Sequence, residues 1–145
     1  MINPVLVDTG PLVAAISARE RNHPWVNEQL QQIKQPMLTC EAVITEACFL
    51  LGKKQELIFK LMDAGFLEIG FSLKHDVGSV CKLMNKYADV PMSLADACLV
   101  RMSEIHDGSK VFTLDGDFKI YRRNGRQTIP LIFPGDRVDL RKCKR

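Results

Sequence analysis

Pro4-Val5-Leu6-Val7-Asp8-Thr9-Gly10-Pro11-Leu12-Val13-Ala14-Ala15-Ile16 compresses a strand, an acid and a helix into one short stretch. Val5-Leu6-Val7 is apolar throughout, with no polar alternation, as a strand buried on both faces must be. Asp8 closes that run, and Thr9-Gly10-Pro11 opens a helix with proline in its first turn, where the missing N–H is not needed. A strand covered on both faces belongs to a parallel sheet between helices.

The rest of the chain repeats this alternation. Pro4 to Asp8 is the first strand, and its helix runs to about Ser17. A second helix follows His23-Pro24, with Trp25, Val26, Leu30 and Ile33 at helical spacing. Pro36 to Thr39 is the second strand, Glu41 to Gly52 a helix, and Gln55 to Ala64 another. Leu67 to Phe71 is the third strand, followed by helices over Leu73 to Tyr87 and Ser93 to Ile105. Lys110 to Thr113 is the fourth strand, Asp117 to Arg123 a short helical turn, and Thr128 to Phe133 the fifth strand. Strands that alternate with helices predict an α/β chain with a mostly parallel five-stranded sheet. In such sheets ligands bind beyond the carboxyl ends of the strands, near the point where strand order reverses.

The 145 residues read as a single domain, residues 1–145, with a basic C-terminal tail from about 136. A chain of this length buries about 68–70% of its unfolded surface, enough for a real core. Apolar residues make up 46% and charged residues 26%, a globular balance without low-complexity tracts. No apolar run approaches the roughly 20 residues of a membrane span, and Met1-Ile2-Asn3-Pro4 lacks the basic start of a signal peptide. These features predict a cytoplasmic protein with no membrane partner. Cys40, Cys48, Cys81, Cys98 and Cys143 are odd in number and form no C-x-x-C pair, which argues against a disulfide framework and a zinc site.

Charge is segregated. The net charge is +3, yet residues 119–145 hold nine Lys or Arg against Asp136 and Asp139, so that segment is +7 and residues 1–118 sum to −4. A basic stretch on an acidic body suits a polyanionic partner.

Acids stand where apolar segments end. Asp8 follows the first strand, Asp115 and Asp117 follow Val111-Phe112-Thr113-Leu114, Asp96 lies in Ser93-Leu94-Ala95-Asp96-Ala97, and Glu46 lies in Val43-Ile44-Thr45-Glu46-Ala47. On a helical wheel Val43, Ile44, Ala47, Cys48, Leu50 and Leu51 form one stripe, with Glu46 roughly 110° from its centre. Each acid has an ordinary reading: a cap for Asp8, a capping box for Asp96, turn chemistry for Asp115 and Asp117, a solvated face for Glu46. Together, on separate elements facing one rim, they form a set of hard oxygen donors suited to Mg²⁺ or Mn²⁺. Thr9, Ser93 and Thr113 add hydroxyls able to orient those carboxylates, or serve only as caps and strand residues.

Val7-Asp8-Thr9-Gly10-Pro11-Leu12, Thr45-Glu46, Ser93-Leu94-Ala95-Asp96-Ala97 and Thr113-Leu114-Asp115-Gly116-Asp117-Phe118 resemble, in order and spacing, the four motifs of PIN-domain ribonucleases. The resemblance implies a three-layer α/β/α, Rossmann-like PIN fold and a Mg²⁺- or Mn²⁺-dependent endoribonuclease acting on single-stranded RNA. Asp8, Glu46, Asp96 and Asp115 match its catalytic acids. Asp8, Asp96 and Asp115 would hold the metal, and Asp117 matches an accessory acid. Lys119, Arg122, Arg123 and Arg126 would contact RNA phosphates near that rim. The length resembles VapC-like toxins of toxin–antitoxin pairs, which implies a homodimer and a small antitoxin partner. A stand-alone RNA-processing nuclease and a non-catalytic RNA- or protein-binding module remain the alternatives. Asp8-Thr9-Gly10 also occurs in aspartic proteases, but their paired aspartates need an all-β scaffold that this helical pattern excludes. Trp25 reads as packing, and His23, His75 and His106 have no partner at catalytic spacing.

Overall fold

The computed structural model describes residues 3–134, so the basic tail from about 136, with Cys143, lies outside the described residues. The first strand, β1, is Val5–Val7, followed by α1 (Thr9–Ile16) and α2 (His23–Leu30). Next come β2 (Met37–Thr39), α3 (Glu41–Leu51), α4 (Glu56–Asp63) and β3 (Leu67–Ile69). The chain continues through α5 (Leu73–Lys86), α6 (Leu94–Ile105) and β4 (Lys110–Phe112). It ends with β5 (Arg122–Arg123), β6 (Gln127–Thr128) and β7 (Leu131–Ile132).

Five strands form one parallel sheet in the order β3-β2-β1-β4-β7, flanked by helices, as the alternation of elements predicts. The order reverses beside β1: the chain first moves outward to β2 and β3, then returns to lay β4 on the other side of β1. That reversal opens the crevice in which such sheets bind ligands. Leu6 aligns with Val111 and Leu38 on one face, while Val7 aligns with Phe112 on the other. Leu6, Val7, Val111 and Phe112 are all completely buried, which explains why β1 and β4 carry apolar residues without alternation.

Close packing around β1 sets local sequence. Thr39 is buried and its hydroxyl donates to the Val7 carbonyl at 2.8 Å, tying β2 to β1. Gly10 lets α1 pass against the chain after β4, because a Cβ there would lie 3.2 Å from the Leu114 Cβ. Trp25 packs edge-on to Phe112 with ring centroids 5.9 Å apart, so α2 covers the Val7–Phe112 face and this indole is packing rather than an exposed platform.

Three local expectations are corrected. The helical turn predicted over Asp117 to Arg123 is shorter: a 3₁₀ turn spans Gly116–Lys119, and Arg122–Arg123 instead forms a hairpin with Gln127–Thr128. Asn124 (φ 52°) and Gly125 (φ 84°) supply the left-handed turn that such a hairpin needs. The fifth sheet strand is therefore only Leu131–Ile132, separated from the hairpin by Ile129 and Pro130. Leu50, placed in the buried stripe of α3, is 62% exposed. Phe66 is exposed as well, while Phe71 packs against the core. Among the described residues no helix is long and apolar enough to cross a membrane.

Phe112 joins the sheet core to α2. Phe112→Ala should cost about 3–5 kcal/mol of stability through lost burial and a residual cavity. Urea unfolding monitored by circular dichroism measures the loss.

Candidate active site

Four acids converge at the crevice beside β1 through four local devices. Asp8 follows β1 directly and caps α1: its Oδ1 accepts the Thr9 N–H at 2.8 Å. Its Oδ2 accepts the Thr113 hydroxyl at 2.7 Å, across the reversal between β1 and β4. Thr113 in turn accepts the Asp115 N–H at 2.9 Å, and Asp115 Oδ1 accepts the Asp117 N–H at 2.9 Å. On the other side, the Thr9 hydroxyl donates to Glu46 Oε1 at 2.8 Å, which draws an exposed α3 side chain to the cleft. Asp96 lies in the first turn of α6, where Ser93 Oγ accepts its N–H at 3.1 Å, and Asp96 Oδ2 accepts the Tyr121 hydroxyl at 2.7 Å.

The ordinary readings are thus correct as local geometry: Asp8 is a cap, Ser93 caps Asp96, and Asp115 closes a turn. Capping orients each carboxylate without removing it from the cleft. Asp8, Glu46, Asp96, Asp115 and Asp117 line one cleft of about 590 Å³, together with Thr9, Ser93 and Gly116. Among the described residues no Lys, Arg or His lines it. Among the described residues none of the five acids forms an ion pair.

Burial without a counter-charge shifts these groups. Asp8 is pushed up to about 6, chiefly by burial, with the charges of Asp96 and Asp115 adding to the effect and the Thr113 hydroxyl opposing it. Asp96 is also raised, first by burial and then by Asp115, against the lowering bond from Tyr121. Asp117 is raised by partial desolvation and by the charge of Asp115. Burial raises the Tyr121 phenol as well, so it stays a donor to Asp96 at neutral pH.

The donor set fits a hard divalent ion on chemical grounds: all five groups are carboxylates, and among the described residues no cation competes for them. Among the described residues no three acids stand as a closed ligand cage. Mg²⁺ does not need one, since it takes one or two carboxylates and keeps several waters.

Tyr121 was not foreseen. It is fully buried, stacks edge-on with Tyr87 (5.1 Å) and Phe118 (5.2 Å), and holds Asp96 from below. Its only trace in the sequence is a position four residues after Asp117, which does not reveal a contact to α6.

The four expected phosphate-binding cations behave unequally, and none lines the cleft. Arg122 Nη1 donates to the carbonyls of Lys119, Ile120 and Tyr121, and Arg123 Nη1 donates to those of Ser103 and Ser109. Both arginines therefore serve first as ties of the hairpin. Lys119 lies over the Phe133 ring at 4.4 Å, and Arg126 is exposed at the hairpin tip. A separate apolar cavity of about 300 Å³, lined by Leu12, Ile16, Leu30 and Phe112 among others, holds no ionisable side chain.

The PIN domain family matches residues 5–124, and the chain belongs to that family. PIN domains are generally nucleases. No curated protein matches the sequence.

Asp8 links this site to stability. The folded protein keeps its proton up to about pH 6, whereas an unfolded carboxyl near 3.8 has already released it. The folded state thus binds the extra proton in that window, and the stability tied to Asp8 falls as pH rises through it. The loss by pH 7 is about 3 kcal/mol. In EDTA, Asp8→Asn should remove that slope, so the variant loses less stability than the parent between about pH 4 and pH 7. Urea midpoints at the two pH values measure the difference, and an unchanged slope would show that Asp8 does not carry it.

Proposed function

We propose that the protein is a Mg²⁺- or Mn²⁺-dependent endoribonuclease that hydrolyses single-stranded RNA, of the VapC-like toxin type. The observation that carries this reading is the convergence of Asp8, Glu46, Asp96 and Asp115, from four separate elements, on one cleft that no cation lines among the described residues.

In this reading Asp8, Asp96 and Asp115 hold the ion, with Asp117 at the rim. Bound there, the ion would neutralise charge on phosphodiester oxygens and lower the pKa of a water. Thr113 and the Thr9 N–H fix the Asp8 carboxylate, and Tyr121 fixes that of Asp96, so both present their free lone pairs to the cleft. Glu46, held by the Thr9 hydroxyl, accepts a proton from the attacking water and aims it in line with the scissile bond. The water oxygen bonds to phosphorus as the P–O bond to the 3′ oxygen breaks, and that oxygen takes a proton from solvent, leaving a 3′ hydroxyl upstream and a 5′ phosphate on the downstream product.

Arg126 and the unused N–H groups of Arg122 and Arg123, with Lys119, supply phosphate contacts along the edge that continues from Asp117. The toxin type is what the chain's length resembles within the family. It implies a homodimer and a small antitoxin, and the exposed Leu57, Phe59, Phe66 and Val77 give a second copy apolar surface to cover.

Asp8→Asn and Asp96→Asn should each lower Mg²⁺-dependent cleavage of single-stranded RNA at least about 100-fold, since even outer partners of a metal site cost 10–100-fold. Far-ultraviolet circular dichroism should stay unchanged. Full activity in both variants, or cleavage indifferent to EDTA, would end the proposal.

A further inference from the structure

Glu46 has two neighbours on α3 that the acidic cleft does not use. Phe49 is 85% exposed and Leu50 is 62% exposed. They stand three and four residues after Glu46, so the three side chains share one helix face. With Thr45 they line an open groove of about 460 Å³. The Thr45 hydroxyl donates to the Glu41 carbonyl of its own helix at 2.9 Å, so apart from Glu46 the groove presents apolar side chains. Glu46 lines both this groove and the acidic cleft, so the two sites share a wall.

That shared wall selects the occupant. An unpaired base whose own phosphate lies in the cleft is carried to that wall, against Phe49 and Leu50. It also offers the flat apolar face that an exposed phenyl ring can stack on.

We propose that the groove of Thr45, Glu46, Phe49 and Leu50 receives an unpaired nucleobase adjoining the scissile phosphate, stacked on Phe49, a subsite that rests on the nuclease reading above. Because the base must leave any helix to reach Phe49, the groove selects single strands. Because every base has a π-face and the groove offers no free side-chain donor, selection among bases is weak and follows stacking area, with purines ahead of pyrimidines.

The test compares two probes by fluorescence anisotropy, with Ca²⁺ in place of Mg²⁺: a labelled oligoadenylate and an abasic oligomer with the same number of phosphates. Phe49→Ala should weaken oligoadenylate binding about 10-fold, leave abasic binding unchanged, and recover when the substitution is Phe49→Trp. Equal weakening of both probes, no effect on oligoadenylate, or no oligoadenylate binding by the parent would overturn the proposal. So would light scattering that shows Phe49→Ala splitting a dimer while base-dependent binding persists, since the groove would then belong to a second copy. Anisotropy needs no cleavage, so the two proposals fail separately. Binding that tracks Phe49 in a protein that cuts no RNA sinks only the nuclease reading. Cleavage that needs Asp8 and Asp96 but ignores Phe49 sinks only the subsite.

Discussion

The bond from the Thr113 hydroxyl to Asp8 Oδ2, 2.7 Å long, joins the ends of two strands that lie 105 residues apart in sequence. It spans the one place in the sheet where strand order reverses. Without it the crevice would have no fixed floor, because the Asp115 turn hangs from the same Thr113 oxygen. Asp8 also starts α1, and the hydroxyl of Thr9 reaches on to Glu46. A single run of bonds therefore couples β1, β4, α1 and α3, and the position of three acids follows from it. Asp96 is held independently, by Ser93 and Tyr121.

This arrangement works against folding stability. Asp8 and Asp96 are buried, and burial raises both. Natural interiors place charges this way when a partner compensates them, yet the described residues contribute no cation to the cleft. Arg122 and Arg123, which follow Asp117 in the chain, turn away to satisfy backbone carbonyls. A protein could easily have spent one arginine on Asp96. Leaving the acids unpaired preserves free oxygen donors, a trade of stability for function expected at a reactive site.

Much of this was legible in the sequence because it depends on local pattern. An unalternated apolar run ending in Asp, followed by Thr-Gly-Pro, specifies a buried strand and a capped helix with little help from tertiary context. Repeating that logic along the chain recovers the parallel sheet. Glu46 was legible for a similar reason, since its wheel position at the edge of the stripe is where α3 meets the cleft. Leu50 was misplaced because the wheel counts hydrophobicity and not what lies opposite, and among the described residues nothing covers that part of α3. The hairpin was missed because Arg122-Arg123 and Gln127-Thr128 are polar pairs with no strand signal, and Asn124-Gly125 alone makes the turn. Tyr121 was beyond reach, since its contact with Asp96 spans two elements and leaves no spacing to read.

The five acids also differ in exposure, and that difference bears on how the cleft meets a cation. Asp8 and Asp96 are buried and reluctant to ionise, while Glu46 and Asp115 are exposed. On the metal-dependent reading, a cation arriving from solvent would meet the exposed pair first, still hydrated. Moving deeper would require the buried acids to be ionised, which a nearby divalent charge favours. The same charge would oppose both the burial that chiefly raises Asp8 and the neighbouring charges that add to it. Cation capture and deprotonation at the floor of the cleft would then be one linked equilibrium, governed by the depth at which β1 and α6 hold their carboxylates.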